Sequence, residues 1–155
     1  MKHTQMIILG TLIAAFSVLF YPLLLIGTII LGYYKKAFLP DFSDSIYSSG
    51  FQHTTAWILL ALTLAEGFTG FGAGPQTSYY ITLITFGLLN RGTSLQIHII
   101  LIALLSFFFI LHITSGLGIM LLRRGIRNYY VYEYIIPLTM LILYMFSLYL
   151  YVLLV

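Results

Sequence analysis

This chain predicts an all-α polytopic membrane protein, a four-helix transmembrane bundle with a short interfacial or re-entrant helix between its second and third spans. Three observations carry that expectation. Hydrophobic residues make up 61% of the 155 positions and charged residues only 7%, too few to solvate a globular surface. Several apolar stretches run past the roughly 18 residues that a spanning helix needs. The seven Lys and Arg stand at the ends of those stretches and not within them. Residues 1–155 read as one transmembrane domain, with spans over about 6–34, 51–72, 94–122 and 134–155.

The first span is expected as a single retained helix. Its apolar run continues well past Ala14 and Ala15, longer than the core of a signal peptide. Pro22 removes one backbone donor and is expected to kink it. His3 precedes it, and Lys35 and Lys36 close it. The loop KKAFLPDFSDSIYSSG follows. Ser43 or Asp44 is the expected cap of the second helix, which places His53 eight or nine residues inside. Glu66 is the one carboxylate deep in any span, and Gly67, Gly70 and Gly72 form a smooth surface at the far end.

The segment GAGPQTSYYITLITFGLLNRGTS holds an apolar portion of about 11 residues, too short to cross unaided. Gly74 and Pro75 mark its entrance and Asn90, Arg91 and Gly92 its exit. Thr93 or Ser94 is the expected cap of the long third span. The fourth has Pro137 in its first turn, where proline is tolerated. With four crossings, Lys35, Lys36, Arg123, Arg124 and Arg127 fall on one side and Lys2 and Arg91 on the other. By the positive-inside rule the first group is cytoplasmic, giving a multi-pass cell-membrane protein with both termini outside.

Cysteine is absent, which excludes disulfides, iron–sulfur clusters, thiolate-bound zinc and covalent haem attachment. The chemistry rests on four histidines. His98 and His112 lie fourteen residues apart on one helix, so they point within about 40° of each other and stand about 21 Å apart along its axis. Ionisable groups inside spans are costly and mark functional interiors. The bland reading is that each imidazole bonds a neighbouring carbonyl. Under the four-span topology His53 and His112 share the cytoplasmic half, while His3 and His98 lie near the opposite surface. Haem b needs two imidazoles at equal depth from facing helices, and His53 with His112 meets that demand best. Zinc or a di-iron centre would ask for carboxylates among the histidines, and Glu66 is thirteen residues from His53. Gly116 and Gly118 offer side-chain-free surface one turn beyond His112, and Arg123 offers a cation for a propionate. Glu66 reads either as a proton relay or as a solvated interfacial group, and its place near the far surface favours solvation.

The run HIILIALLSFFFILHITSGLG, His98 to Gly118, resembles the haem-carrying helix of small four-helix b-type membrane cytochromes, the cytochrome b subunits that anchor hydrogenases and formate dehydrogenases. HTTAWILLALTLAEGFTG, His53 to Gly70, is similar to their partner helix. The resemblance implies a haem b-binding subunit, not itself catalytic, that carries electrons between a quinone pool and a redox partner complex. It implies His53 and His112 as ligands of one haem iron, with His98 and His3 as candidates for a second. One feature departs from the di-haem pattern: Gly67, not histidine, stands fourteen residues after His53. One haem is therefore the expected number, with a quinone as candidate substrate. The competing readings are a haem-free structural or assembly subunit and a small transporter whose broken segment lines a polar site.

Overall fold

The computed structural model describes residues 3–154; Lys2 and the last residue of the fourth expected span lie outside them. All regular structure among the described residues is helical. Six α-helices follow one another: α1 His3–Ala15, α2 Pro22–Tyr33, α3 Ser49–Ala73, α4 Ser78–Ile84, α5 Arg91–Arg123 and α6 Ile136–Leu154. Among the described residues three helical stretches are long and apolar enough to cross a membrane: Ser49–Ala73, Arg91–Arg123 and Val131–Leu153.

The first expected span is not one kinked helix. After α1 the chain tightens into a 3-10 turn at Phe16–Val18, reverses, and returns as α2 with Pro22 at its start. Pro22 therefore begins a helix, where its missing N–H costs nothing. The reversal brings the His3 ring to 5.8 Å from the Tyr34 ring. Small residues allow the pairing. A Cβ placed on Gly27 would stand 2.7 Å from both the Gly10 carbonyl oxygen and the Ala14 Cβ, so the two backbones touch where no side chain intervenes. A single helix over residues 6–34 would be about 43 Å long, well beyond a hydrocarbon core of about 30 Å. Folding back resolves that mismatch.

α3 and α5 form the most extensive helix pair and run antiparallel. Ser48, not Ser43 or Asp44, caps α3, its side chain accepting from the Phe51 amide at 3.2 Å. The loop before it is tied down instead: Asp41 accepts from the Ser43 amide and hydroxyl, and buried Ser115 donates to the Ile46 carbonyl. α5 starts at a capping box in which Asn90 accepts from the Thr93 amide and Thr93 from the Asn90 amide. The cap is thus Asn90, with Thr93 reciprocating.

Helix α4 has seven residues, and both its flanks stay at one end of the α3–α5 pair. Thr77 donates to the Phe71 carbonyl, and Arg91 Nε donates to the Ala73 carbonyl at 3.3 Å. The 74–90 segment therefore closes a hairpin and does not carry the chain to the other end.

α6 packs on α5 and on the hairpin. Buried Tyr144 stacks on Phe107 with centroids 4.5 Å apart and hydrogen-bonds Thr11 at 3.0 Å. A π turn, Val131–Ile135, leads into α6. Pro137 has no N–H for the carbonyl four residues back, and the wider turn closes with Ile136 N–H on Val131 O.

Candidate functional site

The site is built on the α3–α5 seam, and its register is set by two threonines. His112 Nδ1 lies 2.8 Å from Thr55 Oγ1. Thr55 Oγ1 also stands 3.1 Å from the Phe51 and Gln52 carbonyl oxygens, which can only accept. In the tautomer with the proton on Nδ1, the Thr55 hydroxyl donates to one of those carbonyls and accepts from His112. Gln52 Nε2 donates to the His112 carbonyl at 2.9 Å and fixes the backbone as well. This tautomer leaves His112 Nε2 with its lone pair.

The same arrangement recurs fourteen residues earlier on α5. His98 Nδ1 lies 3.2 Å from the Glu66 carbonyl oxygen, 3.1 Å from Glu66 Oε1 and 3.5 Å from Thr69 Oγ1. A backbone carbonyl can only accept, so Nδ1 is again the donor and Nε2 again the free nitrogen. Gly70 makes room for the ring: a Cβ there would sit 3.1 Å from His98 Cε1. Glu66 is not the solvated group its sequence position favours. Its side chain is 14% exposed, its Oε1 faces His98, and its Oε2 is buried without a hydrogen-bond partner. The antiparallel packing of α3 on α5 turns it inward.

His53 is turned away from the α3–α5 seam. The residue that meets His112 is Thr55, and His53 lies two positions away, about 3 Å along the axis and about 160° around it. Its exposed ring packs edge-on to Trp57 at 6.0 Å. It nonetheless lines an open cavity of about 530 Å³, together with Gln52, Gly116, Ile119 and Arg123. Three of the six expected site residues, His53, Gly116 and Arg123, thus share one cavity, with His112 one helical turn from Gly116. A Cβ on Gly116 would touch only Gln52 Nε2, at 3.3 Å, so that wall is bare.

His3 does not join His98. The reversed N-terminal hairpin puts it beside Tyr34, at the end of the molecule that holds Lys35 and Lys36, whereas His98 lies at the end that holds Arg91. Neither Thr55 nor Gln52 was singled out by sequence reasoning, and Glu66 was not linked to His98. A signal was present: Thr55 and Thr69 are fourteen apart, as are His98 and His112, so an antiparallel pair in one register matches both contacts.

Among the described residues no group of three or more His, Asp, Glu or Cys could hold a bare metal ion. A haem iron asks the protein for at most two axial ligands, so that finding concerns free ions. Compared with known proteins, the chain matches no family model, and no curated protein and no solved structure matches it.

Proposed function

We propose that this chain is a haem b-binding membrane subunit that carries electrons between a quinone pool and a redox partner complex in a cell membrane. The observation that carries the reading is the fixing of His112 and His98 by hydrogen bonds from Nδ1 to α3. Metal-ligating histidines characteristically donate their other ring N–H to a carbonyl, hydroxyl or carboxylate, which orients the ring and raises its basicity.

At the His112 end, His53, Gly116 and Arg123 line one cavity, and His112 stands on α5 one turn before Gly116 without lining it. The cavity of about 530 Å³ is in the range of small-molecule and cofactor sites, roughly 300–1,000 Å³. In this reading His112 is one axial ligand, Gly116 leaves a wall free of side chains and Arg123 supplies a cation, while His53 would serve as the second ligand only by turning from the exposed side of α3 toward the seam. Haem b, when bound, supplies one-electron transfer at a potential set by its ligands and their hydrogen bonds. Thr55 holds the His112 ring, and Gln52 keeps its backbone in place. In this reading α3, α5 and α6 cross the membrane and the α1–α2 hairpin re-enters from the His112 end. Lys35, Lys36, Arg123, Arg124 and Arg127 lie at that end and Arg91 at the other, so the positive-inside rule puts the His112 end in the cytoplasm.

A second reading is favoured by the same hydrogen bonds: a haem-free structural subunit in which Thr55–His112 and Glu66–His98 simply hold two helices together. Visible spectra of the purified full chain, oxidised and then reduced, separate the two. Low-spin haem bands that vanish in His112→Ala and His53→Ala support the cytochrome. Haem bands lacking in the wild type, or intact in His112→Ala, end it.

A further inference from the structure

A second cavity, unconnected with the histidines, lies between α2 and α6. Each of these helices packs inward on another partner, α2 on α1 and α6 on α5, and the space left between them is about 230 Å³. Leu31 and Gly32 form one wall and Pro137 and Leu141 the other. That volume is below the roughly 300 Å³ at which drug-sized ligands are held, and its apolar, partly open shape suits a length of hydrocarbon chain. Two features of the sequence keep the slot open. Gly32 has no side chain, and a Cβ there would have nothing within 4 Å. Pro137 is preceded by the π turn that widens the start of α6 at this level, and such turns are frequent at functional positions.

Charge selects the head of the occupant. Lys35, in the turn after α2, and Glu133, in the π turn, both line this cavity. Among the described residues no ion pair joins Lys35 to Glu133, so the two do not neutralise each other. Both stand where the apolar helices end, beside Tyr34 and Tyr134, the composition of a membrane–water interface. An anionic lipid would satisfy Lys35 and be repelled by Glu133. A head carrying both signs meets both.

We propose that the α2–α6 slot binds one zwitterionic phospholipid, with a chain against Gly32 and Pro137, its phosphate at Lys35 and its ammonium at Glu133. Annular lipid lying against the same groove is the alternative, and it would exchange freely and show no headgroup preference. The proposal is independent of haem binding.

The test is native mass spectrometry of the full chain after extraction in mild detergent and exposure to mixed micelles of equal phosphatidylethanolamine and phosphatidylglycerol. One phosphatidylethanolamine per chain should be retained, preferred roughly fivefold over the anionic lipid, the order of effect of one partly exposed charge pair. Glu133→Gln should remove the preference while keeping a bound lipid. Gly32→Phe, which fills the slot from a position with free space, should lose the bound lipid while helicity by circular dichroism is unchanged. The swap Lys35→Glu with Glu133→Lys should restore the zwitterionic preference, which separates charge recognition from misfolding. Stepwise binding of several lipids without preference, no retained lipid, equal retention in Gly32→Phe, or a copurifying peptide in place of lipid would each overturn the proposal.

Discussion

His112 Nδ1 and Thr55 Oγ1 stand 2.8 Å apart across the α3–α5 seam, and this contact holds the two helices in register. Replacing Thr55 with Val keeps the shape and removes the acceptor. A part-buried N–H left without a partner costs about 1–3 kcal/mol, so Thr55→Val should lower unfolding stability in detergent by that order. Thr55→Ser should recover most of it. If haem is bound, its reduced bands should shift in the Val variant. Equal stability of wild type and Thr55→Val would show that the bond is not made.

At the other end of the seam, Glu66→Gln retains a side-chain acceptor for His98 Nδ1 and Glu66→Ala does not. The backbone carbonyl of residue 66 remains in both. With side chains 27% and 14% exposed, solvent screens part of the interaction. The Ala variant should therefore lose about 1–2 kcal/mol and the Gln variant under about 1 kcal/mol. Thermal unfolding of the two, side by side, measures the difference.

Gly27 is where the N-terminal hairpin is closest. A methyl at this point would meet the Gly10 carbonyl and Ala14, and backbone cannot step aside as a flexible side chain can. Gly27→Ala should cost about 1–3 kcal/mol by overpacking. Gly32→Ala, where a Cβ has open space, serves as the control and should be within about 0.5 kcal/mol of wild type.

The hairpin also changes the topology that can be measured. Thr4 and Asp44 line one cavity, so the start of α1 belongs to the same end as the loop before α3. Single cysteines at Thr4 and Asn128 should be labelled by impermeant reagents from the same side of the membrane, and one at Gln76 from the opposite side. Labelling of Thr4→Cys from the Gln76 side would restore a single crossing over residues 6–34.

Asp41, outside the helices, is held below its ordinary carboxylate range chiefly by the Ser43 hydroxyl, with the Ser43 amide adding to it. Its folded-state pKa is the lower one, so its contribution is present above the unfolded value near 3.8 and fades as pH falls through the folded value. Thermal midpoints taken from pH 6 down to pH 3 should fall less steeply in Asp41→Asn than in wild type. The effect is small because the group is fully exposed. Parallel slopes would rule out the contribution.

The sequence by itself determined the class of solvent and the existence of the main helices. Apolar length and sparse charge are local, additive properties, so the cores of α3, α5 and α6 and the short α4 could be read from composition and end signals. The two-histidine face of α5 was legible too, because helical periodicity alone places His98 and His112 together. The tertiary structure decided what those faces meet. Whether residues 6–34 cross once or fold back depends on Gly10, Ala14 and Gly27 meeting one another, a contact no local rule supplies. Whether Glu66 is solvated or paired depends on the rotation of α3 about its axis. His53 and Thr55 are two residues apart, and the docking of α3 on α5 puts Thr55 against His112 and turns His53 away from the seam. Propensity sets that a helix forms; only packing sets which of its sides is inside, because one residue's step turns a side chain by about 100°.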